Sequence, residues 1–273
     1  TYDMTTNAVD EALRNYVAVG GSLELVAGLD NFCWCDPVLS DKTPDGDYKM
    51  AQLVRSNQAL YDICMIYNLP LISGKDSMKN DFYDGTVKIS IPPTLLFSVI
   101  GKIDDARKAV TMDLKRPGDI VYLLGKTGDE LGGSEYLALR GAIGNRVPVV
   151  DAAKAYKRYR AYHQSVNAGS VASCHDLSDG GLAVAAAESA FAGGFGMTID
   201  LATVLWKGDQ SAKNDATLLF SESASRHLVT VHPEQSAAFE AVMSGNCFAA
   251  IGSVTEEQAL VVSGLNGACV LKG

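Results

Sequence analysis

The segment at 175–182, which reads His-Asp-Leu-Ser-Asp-Gly-Gly-Leu, carries the residue types best suited to chemistry in this sequence. It follows a short apolar run and opens a predicted helix, which Ser178 or Asp179 can cap. Amide groups at a helix N-terminus attract anions, but Asp176 and Asp179 would repel a bare phosphate. The combination favours Mg²⁺ lying between a carboxylate and a phosphate. From local physics alone, a capped helix start with incidental acids explains the segment equally well.

Glu11 and Asn15 form a second candidate pair near the start of the chain. They are four residues apart in a predicted helix, so their side chains share one helix face. A carboxylate and an amide oxygen at this spacing can bind one hard cation such as Mg²⁺. An ordinary solvated helix face is the simpler explanation of the pair taken by itself.

Two further segments place polar residues at the ends of predicted strands. The run 72–77, Ile-Ser-Gly-Lys-Asp-Ser, reads as a glycine turn that offers a cation, an anion and a hydroxyl group. It resembles a phosphate-contacting loop but lacks the Walker A pattern, and Lys75 could equally pair with a carboxylate. Asp30 lies in the run 28–31 at an acidic strand end, which is a common place for ligand contacts and also for simple turns.

The elements that must position these residues follow from apolar periodicity and turn signals. A helix is expected from about Thr5 to the Gly20-Gly21 pair, and Asp84-Gly85 predicts a hairpin. Further helices are predicted at 49–67, 151–167, 179–192 and 233–243, and strands at 29–32, 69–72, 88–93, 94–101, 120–124, 171–175, 197–201, 227–232, 249–254 and 259–262, where the pair 88–101 is expected to be buried and the last strand to finish the sheet. This alternation favours an α/β or α+β fold, and the polar stretch at 104–117 predicts a boundary between domains at 1–112 and 113–273.

Composition limits the classes of function. The chain has 273 residues, 47% of them hydrophobic and 20% charged, with a net charge of −9. This composition is typical of a folded globular protein, and its acidic surface makes nucleic-acid binding an unfavourable interpretation. No run approaches the roughly 20 apolar residues of a membrane span, and the six cysteines form no CxxC pair or zinc cluster. We therefore expect a cytoplasmic protein with free thiols and without nucleic-acid or membrane partners.

Seven segments in order resemble the second half of phosphoribosylformylglycinamidine synthase, a relative of aminoimidazole ribonucleotide synthetase, selenophosphate synthetase and thiamine-monophosphate kinase. The resemblance covers nearly the whole chain and is carried by AVDEALRN at 8–15, LDNFCW at 29–34, ISGKDS at 72–77, IPPTL at 91–95, ELGGS at 130–134, HDLSDGGL at 175–182 and ESASR at 222–226. It implies an α+β fold of two domains. The first would be a small sheet with helices that pairs with a partner's sheet into a barrel, and the second an α/β sandwich.

The resemblance also implies two sets of site residues. Glu11, Asn15 and Asp176 match ligands of an auxiliary Mg²⁺, and Ser178 matches a contact to the ATP or ADP bound with it. The other set would reach across to the catalytic site of the first half. There Asp30 and Gly74 would contact ATP and Ser77 the substrate, whereas Lys75 stands where the two-subunit branch has a metal-binding Asn and is therefore a candidate phosphate contact.

The implied reaction converts FGAR, ATP and glutamine (or ammonia) to FGAM, ADP, phosphate and glutamate. Nothing in this chain resembles the glutaminase nucleophile, so we expect no catalytic nucleophile here and place the glutaminase on another domain or subunit. Strands and an aspartate ligand precede the opening helix in the family unit, and the first tandem unit is absent. We therefore expect the isolated chain to lack synthase activity and to form a homodimer. The alternatives are a non-catalytic nucleotide-binding scaffold or dimerisation module, and another ATP-dependent enzyme of the same superfamily.

Overall fold

The computed structural model describes every residue from Thr1 to Gly273 and contains seven α-helices and fourteen β-strands. The helices are α1 (Tyr2–Ala18), α2 (Gly46–Tyr67), α3 (Glu135–Ala138), α4 (Ala152–Asn167), α5 (Gly181–Gly193), α6 (Asp215–Phe220) and α7 (Ser236–Met243). The strands are β1 (Val26–Cys33), β2 (Leu71–Ser77), β3 (Asp81–Tyr83), β4 (Lys88–Ser90), β5 (Thr94–Gly101), β6 (Ile120–Leu124), β7 (Thr127–Gly128), β8 (Ser173–Asp176), β9 (Gly196–Asp200), β10 (Trp206–Lys207), β11 (His227–Val231), β12 (Phe248–Thr255), β13 (Leu260–Ser263) and β14 (Cys269–Lys272).

A three-stranded sheet in the order β2-β1-β5 forms the first part of the molecule. Strand β1 runs parallel to β2 and antiparallel to β5. Helix α1 lies against this sheet because Val9, Leu13 and Val17 recur at helical spacing and are all fully buried. Helix α2 packs beside α1 and ends at Asn68, whose left-handed backbone conformation satisfies the last carbonyl groups of the helix.

A seven-stranded sheet in the order β14-β13-β9-β12-β6-β11-β8 forms the second part. Its residues alternate between two cores, as the buried strand β6 illustrates. Tyr122 and Leu124 face the core that contains α4, α7 and the opening helix, whereas Val121 and Leu123 face the core that contains α5 and α6. The sheet is therefore sandwiched between two helical layers, and one of these layers brings α1 against the C-terminal half of the chain.

The α+β class predicted from the sequence is confirmed by these two sheets and the helices packed on them. The three-stranded sheet is open and does not close into a barrel within this chain. The larger core includes residues from both sides of position 112, and the predicted division at that position stays a prediction. None of the seven α-helices combines the length and the apolar character needed to cross a bilayer.

Three local predictions were wrong. Residues 73–77 continue strand β2 instead of forming a turn, because β1 supplies backbone partners and an exposed edge strand tolerates polar side chains. The strands at 88–90 and 94–101 do not pair with each other, since β4 returns to β3 across the Asp84-Gly85 hairpin and β5 pairs with β1. Neither is a buried strand, and β14 adds a further edge beyond 259–262.

Candidate functional site

A polar cleft of about 360 Å³ opens between the first turns of α1 and the turn that precedes α5. Four carboxylates line it, from Asp3, Glu11, Asp179 and Glu222, and they face a single cationic side chain, that of Arg14. The remaining lining residues are Thr1, Met4, Asn7, Gly132, Gly133, Val147, Pro148, Ser178 and Ala224. Because negative charge prevails, the cleft attracts cations and would repel a phosphate that arrives without one.

Of the four residues predicted for the auxiliary site, Glu11 and Ser178 line this cleft, whereas Asn15 and Asp176 lie beside it, next to Arg14. The Asn15 Nδ2 atom donates a hydrogen bond to Asp176 Oδ1 at 3.3 Å, and Ser178 Oγ donates to Glu11 Oε1 at 2.7 Å. Glu11 and Asn15 share one face of α1, while Asp176 ends β8 and Ser178 lies in the turn that follows. Two segments that are more than 160 residues apart in the sequence therefore present their polar groups to each other.

Asp176 is held in its charged form. Burial would raise its pKa, but hydrogen bonding from His175 and the charge of Arg14 outweigh burial and hold the pKa well below its usual range. The Arg14 Nε atom lies 3.7 Å from Asp176 Oδ2, and both side chains are buried. A buried carboxylate that stays ionised is a suitable ligand for a hard cation, although Arg14 already offsets part of its charge.

The sequence analysis missed the buried residue that orients Arg14. Asp10 is fully buried, and its Oδ1 atom accepts hydrogen bonds from Tyr67 (2.5 Å), Tyr159 (2.7 Å) and Ser225 (2.9 Å). Its Oδ2 atom accepts a hydrogen bond from Arg14 Nη1 at 2.9 Å. The spacing of Asp10 and Arg14, four residues apart on a helix, was the available signal. The Asp10 cluster thus fixes the guanidinium group that contacts Asp176.

Glu222 was also missed, although it lies in a segment that carried the family resemblance. Its carboxylate accepts hydrogen bonds from the backbone N–H groups of Gly180 at 2.9 Å and Glu135 at 3.0 Å, and burial raises its pKa. Gly180 and Gly181 both have positive φ angles, and a Cβ atom on Gly181 would lie 2.4 Å from the Ser221 carbonyl oxygen. Both glycines are therefore needed for the backbone to turn from β8 into α5 at the cleft.

The other predicted set lies on the three-stranded sheet and lines no part of the cleft. Asp30 and Gly74 are register partners on β1 and β2, and a Cβ atom on Gly74 would lie 2.6 Å from Asp30 Oδ1. Burial raises the pKa of Asp30. Lys75 and Ser77 point to the opposite face of the sheet, where Lys75 Nζ donates a hydrogen bond to Ser77 Oγ at 2.5 Å.

The donor set predicted for Mg²⁺ consists of two carboxylates and one amide, which offer the hard oxygen ligands that Mg²⁺ prefers. No group of three or more His, Cys, Asp or Glu side chains could hold a metal ion. Asn15 presents its amide nitrogen to Asp176, so its oxygen would have to turn toward a cation. The set fits a Mg²⁺ ion that takes its remaining ligands from phosphate and water, and it does not fit a metal held by protein alone.

The family follows from a direct match. A family model described as the C-terminal domain of AIR synthase related proteins matches residues 116–264, which is more than half of the chain. The chain belongs to the AIR synthase related family. The matched range contains the turn with Asp176 and Ser178, whereas Glu11 and Asn15 precede it.

Two relatives of this AIR synthase related chain are phosphoribosylformylglycinamidine synthase subunits named PurL. The subunit from Alkaliphilus metalliredigens (strain QYMF) is 39% identical over 229 residues, which cover 83% of this chain and 28% of the relative. The subunit from Thermobifida fusca (strain YX) is 37% identical over 239 residues, which cover 87% of this chain and 28% of the relative. This AIR synthase related chain thus spans less than a third of the length of these curated relatives.

Solved structures of low sequence identity share the fold of this AIR synthase related chain. PurL from T. maritima in complex with FGAR superposes with a TM-score of 0.74 at 20% identity, covering 99% of this chain and 42% of that one. HypE in the HypE–HypF complex superposes with a TM-score of 0.72 at 14% identity, covering 98% of this chain and 83% of that one. Both comparisons support the α+β architecture and, at these identities, the fold alone.

Proposed function

We propose that this chain is the second half of a phosphoribosylformylglycinamidine synthase, a carbon–nitrogen ligase that converts FGAR to FGAM with ATP and glutamine. In this proposal the chain supplies an auxiliary Mg²⁺–nucleotide site and residues that complete the active site of the first half. Its similarity to PurL subunits at 37–39% identity supports the reaction. The observation that carries the site is the contact of Glu11 with Ser178 in the acidic cleft and of Asn15 with Asp176 beside it.

In the auxiliary site, Glu11, Asn15 and Asp176 would hold the metal and Ser178 would contact the nucleotide. Bound Mg²⁺ would offset the negative charge of the nucleotide phosphates in this acidic cleft. Ser178 can release Glu11 and donate its hydroxyl group to a phosphate oxygen. The Asp10 cluster holds Arg14 in place, which keeps the Asp176 carboxylate ionised and oriented without a ligand.

The second role of the chain lies on the three-stranded sheet. Asp30 and Gly74 would contact ATP, Ser77 the substrate and Lys75 a phosphate group, all in the catalytic site of the first tandem unit. Strand β2 is an exposed edge, and exposed apolar side chains such as Leu96 lie on the outer face of the sheet. An uncovered edge and face of this kind require a partner, which supports the first tandem unit as the partner in the complete enzyme.

The chemistry divides between this chain and its partners. ATP activates the amide oxygen of FGAR as a phosphoryl imidate, and ammonia then displaces phosphate. Positioned donors and cations stabilise the transferring phosphoryl group in reactions of this class. This chain would contribute such donors through Lys75 and Ser77, whereas a glutaminase domain or subunit would supply the ammonia. In isolation, the same uncovered sheet would favour a homodimer, and the compartment would be the cytoplasm.

A second candidate function is a non-catalytic nucleotide-binding scaffold or dimerisation module. The acidic cleft favours it, because every residue of the predicted auxiliary site lies within this one chain. Binding of ADP there would require no chemistry and no partner. Another ATP-dependent enzyme of the superfamily is a further alternative, and the structural likeness to HypE, which was also solved in complex with ATP, is compatible with it.

Substitution of Ser77 in the complete synthase separates the first proposal from the scaffold. We expect Ser77→Ala to lower FGAR-dependent ADP release about tenfold or more, because a hydrogen bond to the substrate is lost. Ser98→Ala is the matched control, since Ser98 is an exposed serine on the outer face of the same sheet. Equal activity of the two variants would support the scaffold. The isolated chain should release no ADP with FGAR, and turnover at the rate of the complete enzyme would refute the proposed fragment role.

A further inference from the structure

A second cavity, of about 230 Å³, is adjacent to the acidic cleft and shares only Ala224 with it. Its lining brings together the segment after β6, the first two turns of α4, strand β10 and the residue before β12. We call it the basic pocket, because its charged lining residues are four cations and one acid: Lys126, Lys154, Arg158, Lys207 and Asp151. The charge of this cavity is thus opposite to that of the cleft.

Arg158 is the observation that requires explanation. Its side chain is 6% exposed, and no carboxylate lies within ion-pair distance of it. Its Nη2 atom donates a hydrogen bond to the Ser225 carbonyl oxygen at 2.5 Å, while its Nε atom is buried without any partner. A buried guanidinium group without an anion is unfavourable, because burial removes its hydration and the hydrogen bond to Ser225 replaces only part of it.

The nearby carboxylates are already engaged with other cations. Asp151 pairs with Lys154 at 2.6 Å, and Glu130, which lies outside the pocket lining, pairs with Lys207 at 2.8 Å. Lys126, like Arg158, has no ion-pair partner. Two cations of the pocket therefore lack a direct ion-pair partner, which matches the charge of one dianion.

We infer that the basic pocket binds a phosphate group, either as inorganic phosphate or as the end of a small phosphate monoester. Arg158 offers the planar donor geometry that suits phosphate oxygens, and Lys126 offers an exposed point charge at the opening. The cavity is smaller than the usual pocket for a drug-sized ligand or nucleotide, which favours a small anion. This site does not depend on the proposed synthase function, because none of the residues assigned to that function lines it.

Cys247 provides a local probe, because it lines the pocket and is partly exposed. Alkylation of the chain by iodoacetamide would be followed by mass spectrometry in EDTA, so that no Mg²⁺-dependent phosphate binding in the cleft contributes. If phosphate binds the pocket with a Kd of about 1 mM, then about 10 mM inorganic phosphate should slow the alkylation of Cys247 about tenfold. Alkylation of the exposed Cys269, which lies outside the pocket, should keep its rate at constant ionic strength.

Variants locate the effect. Lys126→Met should abolish most of the protection of Cys247 by phosphate, and the variant is expected to fold because Lys126 is exposed. Arg158→Gln should abolish the protection completely if that variant folds. Arg160→Gln, an exposed cation on the same helix and outside the pocket, should keep the protection. Equal protection in Lys126→Met and Arg160→Gln, equal slowing of Cys247 and Cys269, or no protection at all would overturn the inference. Ribose 5-phosphate, run in parallel, identifies a monoester if it protects at lower concentration than phosphate and free phosphate if it does not.

Discussion

The Asp10→Asn variant tests the energetic role of the buried carboxylate that orients Arg14. Asparagine keeps an oxygen that can accept hydrogen bonds from Tyr67, Tyr159 and Ser225, but it places an amide nitrogen against the Arg14 guanidinium group. Removing one partner of a buried ion pair costs about 3–5 kcal/mol when the other charge is left unpaired. Arg14 keeps the more distant Asp176 at 3.7 Å, so we expect Asp10→Asn to lower the unfolding free energy by about 2–3 kcal/mol. A domain of this kind has a total stability of roughly 5–15 kcal/mol, so the loss should be large and easily measured.

Urea unfolding followed by circular dichroism measures this loss, with the unfolding free energy extrapolated to water. Asp47→Asn is the matched control, because Asp47 is an exposed helical aspartate without an ion pair. We expect the control to change the unfolding free energy by less than about 0.5 kcal/mol. A loss below about 1 kcal/mol for Asp10→Asn, or an equal loss for Asp47→Asn, would refute the ion-pair argument.

Two further predictions concern the turn at the cleft and the response to acid. Gly181→Ala should lower the unfolding free energy by about 2–4 kcal/mol and Gly133→Ala by about 1 kcal/mol. Both glycines have positive φ angles, but only a Cβ atom on Gly181 would meet a backbone carbonyl. Equal losses of the two variants in urea unfolding would contradict the close contact. Burial lowers the pKa of His227 to about 4, so between pH 6.5 and 4 the unfolded state binds a proton that the folded state does not. The neutral His227 costs the folded state nothing above pH 6.5, and the unfolding free energy falls as the pH drops below that value. Acidification from pH 6.5 to pH 4 should therefore lower the unfolding free energy of the native chain by about 3 kcal/mol more than that of His227→Gln. The same loss in both proteins would exclude His227 as the cause.

The sequence was most informative where structure depends on neighbouring residues. The apolar stripe of Val9, Leu13 and Val17 predicted α1, and the spacing of Glu11 and Asn15 placed both side chains on one face of that helix. The Asp84-Gly85 pair likewise predicted a hairpin that is present between β3 and β4. Turn chemistry and helical periodicity act over a few residues, and a single sequence displays them directly.

Pairings between distant segments could not be predicted in the same way. Strand β5 pairs with the distant β1 and not with its sequence neighbour β4. The polar run at 73–77 becomes a strand only because β1 lies beside it. Three of the four side chains that hydrogen-bond to Asp10 are 57, 149 and 215 residues away, and only Arg14 is local. Local patterns carry no information about such distant partners, so the spacing of Asp10 and Arg14 could indicate an ion pair but not that it is buried.

The central claim is that acids of α1 and of the turn after β8 form a Mg²⁺-dependent nucleotide site in the cleft. Isothermal titration of ADP into the isolated chain tests it directly, with Mg²⁺ or with EDTA, for the native chain and for Glu11→Gln. Glu24→Gln is the control, because Glu24 is also exposed but lies outside the cleft. We predict that ADP binds only with Mg²⁺ and that Glu11→Gln weakens binding about tenfold or more, while Glu24→Gln leaves it unchanged. Equal ADP affinity in Mg²⁺ and EDTA, or equal affinity of the two variants, would contradict the claim.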